Sequence, residues 1–339
     1  MKKTMSRKQF LCGAGAAAGA ALCAPGIARA ARPITIKLGI DLLGTHPITL
    51  NLIEVAKRVD EDTKGRIKLE VFANNELGND THMLSQVRSG AIQMMAIGDN
   101  IMAELVPSAA IDNIGFAFKN VETAWRALDG KVGEIVTADI AKTGLYPMRK
   151  VWDLGFRDVT TGTKPIHTPL DLKGFKIRVP PSPISVSLFQ HLGAAPTSLN
   201  FAEVYTALQT KVVDGEENSI SVIESQRYYQ VQKFCSLTHH MWVGYWMVMN
   251  GTLWQSLSPT DRKIIATAFN EQAPKQRIAN NKLNNSVQTR LEQQGLRFNA
   301  VDPALFQNAL IKSGFYAEWQ TKFSPDLWTA LESYTGKLS

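Results

Sequence analysis

The sequence predicts an α/β protein with two α/β regions and one very long helix. Three observations lead to this prediction: strand-like and helix-like runs alternate from Ile34 onward, the alternation begins again near Gly155, and a helical pattern extends from Pro259 to Gln294. The chain has 339 residues, of which 45% are hydrophobic and 20% are charged. This length accommodates two domains with their own cores, and this apolar content excludes intrinsic disorder.

Residues 1–30 have the pattern of a secretory signal peptide. A basic segment, Met1–Lys8, is followed by small apolar residues up to Pro25, and Ala28-Arg29-Ala30 has the A-x-A form of a cleavage site. We therefore expect export and a mature chain that begins at Ala31. The run Ser6-Arg7-Lys8-Gln9-Phe10-Leu11 is similar to a twin-arginine export signal with lysine in place of the second arginine. General secretory export is the alternative.

The net charge of +7 belongs mostly to this N-terminal segment. Five of the 37 basic residues lie within residues 1–30, which contain no acidic residue, so the rest of the chain is close to neutral against its 30 acidic residues. No basic surface for a phosphate backbone is expected, which excludes a nucleic-acid partner. Only Cys235 remains after removal of the signal, so neither a disulfide within the chain nor a thiolate metal site is expected.

The first α/β region is predicted to contain three strands and four helices. The alternating or apolar runs 34–40, 67–72 and 92–97 predict strands, and helical spacing predicts helices over 50–59, 80–89, 122–128 and 132–142. Asp80 is the expected cap of the second of these helices, which ends at Gly90. The βαβ order predicts a parallel sheet that is covered by helices on both faces.

The second region begins with a strand over 175–179 and continues with helices over 184–191 and 201–210. The apolar run 241–249 predicts a strand buried on both faces. Ser258 and Pro259 then open the long helix, with Asp261 three residues after the cap. Pro274 is expected to kink this helix, which we interpret as a brace across both regions. The alternative is two ordinary helices separated at Pro274.

The sequence contains no common catalytic motif. It has no G-x-S-x-G, H-E-x-x-H, P-loop or dinucleotide-binding glycine pattern, so no catalytic residue, cofactor or metal ion is expected. His239 and His240 are adjacent, so their side chains diverge in a strand and cannot chelate one metal ion. The pair Glu216-Glu217 follows Asp214-Gly215 and is interpreted as a solvated turn.

Two arginines in apolar surroundings are the strongest candidates for binding. Arg157 follows Leu154-Gly155-Phe156, and Arg178 lies in the predicted strand before Pro180-Pro181. A guanidinium is always charged and its planar fork matches a carboxylate. Chemistry alone leaves two alternatives open for each of them: a bound anion or an internal salt bridge with Asp or Glu.

Several linked motifs resemble one protein family. They are Thr168-Pro-Leu-Asp-Leu-Lys-Gly-Phe-Lys-Ile-Arg178, Gly193-Ala-Ala-Pro196, Phe201-Ala-Glu-Val-Tyr-Thr-Ala-Leu-Gln-Thr210, Val213-Asp-Gly-Glu-Glu-Asn218 and Tyr228-Tyr-Gln-Val-Gln-Lys233. In this order and spacing the sequence resembles the DctP-type solute-binding proteins of TRAP (tripartite ATP-independent periplasmic) transporters. The resemblance covers nearly all of the mature chain.

The resemblance implies a two-lobed periplasmic binding protein with a ligand cleft between the lobes and a long helix spanning both. Lobe I would comprise residues 31–154 plus about 244–275, and lobe II residues 155–243 plus about 276–339. The resemblance also implies that Arg178 clamps a carboxylate, with Arg157, Asn218 and Phe201 as further contacts. We add Trp242, Asp41 and Asp99 as candidate ligand contacts. Glu216 and Ser219 depart from the family pattern, which usually has Gln and Pro there.

The expected function is periplasmic capture of a small organic acid and its delivery to the small and large membrane subunits of a TRAP permease, by a monomeric receptor that is not an enzyme. A binding protein that feeds a sensory receptor is one alternative. A periplasmic enzyme acting on small organic acids is another, and it would need an acid–base pair, for which the candidates are Asp41, His46, Asp99 and Asp153.

The ligand itself is left open among three classes: an aromatic or 2-oxo/2-hydroxy monocarboxylate, a sugar acid and a C4-dicarboxylate. Aromatic rings near Arg157 favour the first class. Trp242 and Trp246 share one face of the predicted buried strand and Tyr245 lies on the other, so only one of these sets can line a cleft.

Overall fold

The computed structural model describes residues 32–338. The predicted signal peptide, residues 1–30 with Cys12 and Cys23, lies outside the described residues. The strands are β1 (Ile34–Gly39), β2 (Ile67–Phe72), β3 (Met94–Gly98), β4 (Leu145–Pro147), β5 (Trp152–Thr161), β6 (Lys176–Val179), β7 (Ala195–Ser198), β8 (Gly215–Asn218), β9 (Phe234–Asn250) and β10 (Arg297–Ala300).

Helices alternate with these strands, as the sequence predicts. They are α1 (Pro47–Asp62), α2 (Asp80–Ser89), α3 (Asp99–Met102), α4 (Val121–Asp129), α5 (Lys131–Ala141), α6 (Pro183–His191), α7 (Val204–Gln209), α8 (Ile220–Ser225), α9 (Gly251–Ser256), α10 (Pro259–Gln293), α11 (Pro303–Ser313), α12 (Phe315–Lys322) and α13 (Pro325–Thr335). Short 3-10 helices cover Pro107–Asn113, Pro169–Leu172, Phe201–Glu203 and Tyr228–Gln230. Within residues 32–338, no helix combines the length and the apolar composition that crossing a membrane requires.

The strands form one mixed sheet in the order β2-β1-β3-β9-β5-β8-β6-β7, with β4 and β10 also paired to β9. Strand β1 is parallel to β2 and β3, and β6 is parallel to β7 and β8, but β5 and β9 are antiparallel to their neighbours in this order. The parallel sheet predicted for the first region is thus present in β2-β1-β3, whereas the centre of the whole sheet, at β5 and β9, is antiparallel. Parallel pairing requires a crossover connection between the strands, usually a helix. Strands β5 and β9 pass between the two parallel parts without such a helix.

Strand β9 is the longest element of the sheet and joins its two parts. Residues Tyr245–Met249 pair with β3, whereas Phe234–Tyr245 pair with β5. Every residue from His240 to Asn250 is buried, which confirms the predicted strand over 241–249 and extends it in both directions. In this register Asp153 lies opposite Gly244 and Trp152 opposite Tyr245, so the start of β5 and the middle of β9 are direct neighbours.

Helix α10 runs without interruption for 35 residues, through Pro274, over roughly 52 Å. The alternative of two helices separated at Pro274 is wrong. Ser258 accepts a hydrogen bond from the Asp261 amide, as predicted for the cap. Further along, Gln276 bonds both the amide and the carbonyl of Asp153, at 2.8 and 2.7 Å. The long helix thereby holds the backbone of β5 beside a bulge between Asp153 and Gly155.

The first helices differ from prediction only at their ends. The cap of α2 is Asn79, whose side chain accepts from the His82 amide, rather than Asp80. Asp80 instead occupies the first helical position, where a carboxylate is favoured by the helix dipole. The predicted helix over 201–210 is a 3-10 turn followed by the shorter α7.

Candidate functional site

A narrow cavity lies where β1, β3, β5, β6, β8 and β9 meet. It contains about 340 Å³ of space not filled by protein atoms, partly continuous with solvent, of which about 30 Å³ admits the centre of a water molecule. Ligand pockets usually measure roughly 300–1,000 Å³, far more than 30 Å³, so the walls of this cavity are closely spaced and would have to separate to admit an organic ligand. Its lining residues are Asp41, Leu42, Asp80, Asn100, Ile101, Leu154, Arg157, Arg178, Pro180, Phe201, Asn218, Val222, Val243 and Tyr245.

The polar lining residues belong to two groups. One group, which we call the basic wall, comprises Arg157, Arg178 and Asn218 from β5, β6 and β8. The other, which we call the acidic wall, comprises Asp41, Asp80 and Asn100, which lie after β1, at the start of α2 and in α3. Val243 and Tyr245 of β9 line the cavity between them.

Arg178 is 1% exposed and has no carboxylate within salt-bridge distance among the described residues. Its Nε and Nη2 donate to the backbone carbonyl of Leu199, at 3.0 and 2.7 Å. Burial is the largest cause that lowers the pKa of Arg178, and the neighbouring Arg157 adds to it. The carbonyl fixes one edge of the guanidinium, and the Nη1 edge makes no hydrogen bond within residues 32–338. This edge is free to grip a carboxylate.

Arg157, by contrast, has an internal partner. Its Nε lies 2.5 Å from Glu217 Oε2, and its Nη2 lies 2.9 Å from Oε1 and 2.6 Å from the Glu217 carbonyl. His240 Nε2 lies 3.0 Å from the same carboxylate. Burial alone would raise the pKa of Glu217, but the charge of Arg157 and the hydrogen bonds from His240 and Arg157 outweigh it and lower the pKa to about 2. Arg157 thus lines the cavity as a residue that is already ion-paired with Glu217.

Glu216 and Glu217 do not form the solvated turn that the sequence suggests. Both are completely buried in β8, between Arg157 on one side and β6 on the other. Thr160 donates to Glu216 Oε1 at 2.7 Å, and burial raises the pKa of Glu216 to about 7. The two neighbouring carboxyls therefore have opposite pKa shifts, because only Glu217 faces a cation at hydrogen-bond distance.

The acidic wall carries carboxylates that have few donors. Tyr245 Oη donates to Asp41, at 3.0 and 3.1 Å from the two carboxylate oxygens, and Asp80 Oδ1 accepts from the Thr81 amide at 3.0 Å. Burial raises the pKa of Asp41 to about 7, with the charge of Asp80 as the next cause. Burial also raises the pKa of Asp80, and the charge of Arg178 opposes that rise.

Five of the seven predicted site residues line the cavity: Arg178, Arg157, Asn218, Phe201 and Asp41. The structure places the other two elsewhere. Asp99 is buried beneath the acidic wall, where it accepts from the Asn100 and Gly244 amides and from Asn113. Trp242 lies on the opposite face of β9 from Val243 and Tyr245, and its indole donates to Asp153.

His46, His239 and His240 form no acid–base pair at the cavity. His46 is buried and caps α1 by accepting from the Ile48 amide, and burial lowers its pKa to about 3. His239 and His240 diverge, as predicted: the first contacts Asp158 at 2.8 Å and the second contacts Glu217. Residues 32–338 contain no cluster of three or more histidine, cysteine or acidic side chains that could hold a metal ion.

Sequence reasoning missed Asp80, Asn100 and Tyr245 as lining residues. A signal for the first two exists, because Asp41, Asp80 and Asn100 all follow the carboxyl ends of the parallel strands β1, β2 and β3. In open α/β sheets ligands bind outside these carboxyl ends. The face of Tyr245 was predicted correctly, but the choice between the two faces of β9 was not.

Comparison with known proteins places these features in a family. The family model DctP, described as bacterial extracellular solute-binding protein, family 7, matches residues 43–316. The 2,3-diketo-L-gulonate-binding periplasmic protein YiaO of Escherichia coli (strain K12) is 39% identical over 219 residues, which is 65% of this chain and 66% of that protein. The C4-dicarboxylate-binding periplasmic protein DctP of Vibrio cholerae serotype O1 is 32% identical over 70% of this chain and 71% of its own length.

A solved structure shows the same architecture. The TRAP periplasmic solute-binding protein of Roseobacter denitrificans with bound β-D-glucuronate superimposes with a TM-score of 0.84. It is 30% identical, and the match covers 89% of this chain and 99% of that one. This similarity bears out the predicted two-lobed α/β fold.

Proposed function

This chain belongs to the DctP family of bacterial extracellular solute-binding proteins, of the TRAP type, and we propose that it captures a small organic acid through its carboxylate. The observation that carries the proposal is Arg178, a guanidinium that is 1% exposed and lacks a carboxylate partner within the described residues. An unpaired buried charge is costly, and a bound carboxylate would supply the missing partner.

The neighbourhood of Arg178 supports this role. The Leu199 carbonyl holds the guanidinium in one orientation, and Asn218 and Phe201 line the cavity beside it. The ligand's carboxylate would accept hydrogen bonds from the free edge of Arg178 and from the Asn218 amide. Arg157 would attract the carboxylate through its positive charge rather than through a pair of hydrogen bonds, because Glu217 already occupies most of its donors.

Delivery to a membrane permease and residence in the periplasm are part of the same proposal. The relatives and the solved structure named above are periplasmic binding proteins by name. By analogy, residues 1–30 would direct export, and the monomeric receptor would pass its acid to a small and a large TRAP membrane subunit. Its function would be binding rather than catalysis.

We also propose that the cleft opens and closes around the ligand. Lobe I would comprise residues 31–154 and about 244–275, and lobe II residues 155–243 and about 276–339. The bulge between Asp153 and Gly155, opposite Gly244, would be the hinge, because an irregular strand segment absorbs backbone rotation more easily than a regular one. Solution scattering should show compaction on ligand binding, and no change with a tight ligand would contradict this motion.

A thermal-shift screen tests the proposal directly. Each carboxylic acid is paired with its neutral amide, which has the same shape but cannot form an ion pair with Arg178. A ligand at 100 times its dissociation constant adds about 2.7 kcal/mol to the free energy of unfolding, so the cognate acid should raise the melting temperature clearly. Its amide should not.

Two variants complete the experiment. Arg178→Ala should abolish the shift, whereas Arg88→Ala, which removes an exposed arginine of α2, should preserve it. The proposal is wrong if no acid at millimolar concentration changes the melting temperature, or if acids and amides act equally.

A further inference from the structure

The two walls of the cavity differ in charge balance. On the basic wall, Glu217 neutralises Arg157, so Arg178 contributes one uncompensated positive charge. The acidic wall carries two carboxyl groups, Asp41 and Asp80, and among the described residues neither has a lysine or arginine within salt-bridge distance. The cavity therefore offers a buried cation on its basic wall and two carboxyl groups on its acidic wall.

The acidic wall also has unused hydrogen-bond acceptors. An ionised carboxylate offers about four acceptor sites. Within residues 32–338, the Tyr245 hydroxyl is the one side chain that donates to Asp41, beside the backbone amides of Asp41 and Leu42, and Asp80 accepts from backbone amides alone, those of Thr81 and of Asp80 itself. Both side chains are less than a tenth exposed, so solvent has little access to the remaining sites. Groups that donate hydrogen bonds would satisfy them.

A ligand with two carboxylates fits this arrangement poorly. Once one carboxylate is bound to Arg178, the other would lie against Asp41 and Asp80. Like charges held close together away from bulk water repel each other. An apolar acid avoids the repulsion but supplies no further donor to the two carboxyl groups of the acidic wall, so any acceptor site that it shields from solvent is left unpaired, which is also costly.

From this asymmetry we propose that the ligand is a polyhydroxylated monocarboxylate, bound with its carboxylate on Arg178 and its hydroxyl groups donating to Asp41 and Asp80. The inference rests on the proposed function, because it presumes a carboxylate on Arg178. It selects one of the three ligand classes that the sequence leaves open and rejects both the C4-dicarboxylate and the unsubstituted aromatic acid.

Six-carbon acids of equal chain length separate the effect of a second carboxylate from the effect of the hydroxyl groups. The panel contains four aldonates (D-gluconate, D-galactonate, D-mannonate and L-gulonate), the dicarboxylate D-glucarate, adipate without hydroxyls, and hexanoate with one carboxylate and no hydroxyl. Calorimetry at pH 8 keeps Asp41 ionised, since its pKa lies near 7. We expect the tightest aldonate to bind at least about 30-fold more tightly than glucarate, adipate and hexanoate, from the repulsion and unpaired-acceptor costs above.

Variants of the acidic wall provide a second measurement. Asp41→Asn removes the charge at nearly constant size, so aldonate affinity should fall about tenfold while glucarate affinity rises relative to it. Asp80→Asn should act in the same direction and serves if the first variant folds poorly. Glu54→Gln changes the net charge equally at an exposed position of α1 and should leave all affinities within about twofold.

The outcomes separate this inference from the function on which it rests. If glucarate, adipate, hexanoate or any other acid outside the hydroxylated monocarboxylates proves the tightest ligand, the inference is wrong and carboxylate capture stands. Unchanged ratios in both acidic-wall variants would also refute it. If no acid binds to the wild-type protein, the proposed function itself fails.

Discussion

Arg157 and Arg178 are two buried arginines in the same half of the sheet, yet their surroundings differ. They are 3% and 1% exposed, and β8 lies between their strands. Arg157 meets the Glu217 carboxylate with two of its nitrogens. Arg178 meets only the Leu199 carbonyl, although Glu216 lies opposite it in the register of β6 and β8.

The difference shows how a partner determines what a buried charge does. A guanidinium with a carboxylate within hydrogen-bond distance is satisfied in the empty protein and holds two strands together. A guanidinium that has only a neutral acceptor retains an unmet charge, so an anion that enters its cavity gains from both Coulomb attraction and hydrogen bonding. Arg157 is therefore expected to matter most for folding, and Arg178 for binding.

The largest expected effect is on stability. Arg157→Ala leaves the Glu217 carboxylate buried with only His240 beside it, which should lower the free energy of unfolding by about 3–5 kcal/mol in urea titrations. Replacing both partners, as in Arg157→Met with Glu217→Met, should cost less than the single change, because no charge is then left unpaired. A loss of stability below about 1 kcal/mol for Arg157→Ala would contradict the expectation that Arg157 matters mainly for folding.

The next effect is on affinity. Arg178→Ala should weaken binding of the cognate acid by about 2–5 kcal/mol, which is roughly 30-fold to several-thousand-fold. Arg178→Lys keeps the charge but loses the planar fork, so it should also bind poorly. The free energy of unfolding should change by only about 1 kcal/mol, from the lost bond to Leu199. Calorimetry that finds near-normal affinity for Arg178→Ala would make this arginine structural like Arg157.

The same contrast extends to carboxyl groups and predicts a pH profile. The pKa of Glu217, lowered to about 2 beside Arg157, makes its contribution to stability disappear as pH falls from about 4.5 toward 2. The pKa values of Asp41 and Glu216, raised to about 7 by burial, favour their protonated forms, so their contribution disappears as pH rises from about 4 to 7. Stability measured by thermal unfolding should peak near pH 4–5.

A variant tests whether Asp41 causes the loss of stability between about pH 4 and 7. Asp41→Asn does not titrate, so its melting temperature should fall less steeply between pH 4 and 7 than that of the wild type. A control at exposed Glu54 (Glu54→Gln) should retain the full slope. Identical slopes in all three proteins would mean that Asp41 stays ionised across this range.

The smallest expected effect concerns Asn218, which lines the cavity and would add one neutral amide donor to the contacts of Arg178 with the ligand. Asn218→Ala should weaken acid binding by about 0.5–1.5 kcal/mol, or roughly 2- to 10-fold. Calorimetry on this variant ranks the neutral donor against the charged one. A loss of affinity as large as that of Arg178→Ala would show that the amide contributes as much as the guanidinium to binding of the carboxylate.

Local signals were sufficient for most of the fold. Alternating apolar residues predict β1 and β2, the Ser258 cap predicts the start of α10, and the apolar run of β9 predicts its burial. These features depend on residues that are close in sequence. The position of Arg178 at the cavity was also predicted, by linked motifs rather than by its chemistry, which left a salt bridge equally open.

Features set by distant partners were missed. Glu216-Glu217 has the composition of a turn, and only its pairing with Thr160 and Arg157, about 60 positions away, explains its burial. The antiparallel direction of β5 and β9 depends on how the chain returns between the two halves of the sheet. Trp242 was placed at the site because its ring is large and aromatic, but strand alternation directs it to the core beside Phe118.

The length of β9 has a consequence for the growing polypeptide. Strand β3 is wholly buried, and its second neighbour in the sheet is the C-terminal part of β9, from Tyr245 to Met249. Until that segment leaves the ribosome, Met94–Gly98 has an unpaired apolar edge, which is a template for aggregation and a target for chaperones. The first half of the molecule therefore cannot complete its own sheet during synthesis, and both halves become native only after most of the chain has been made.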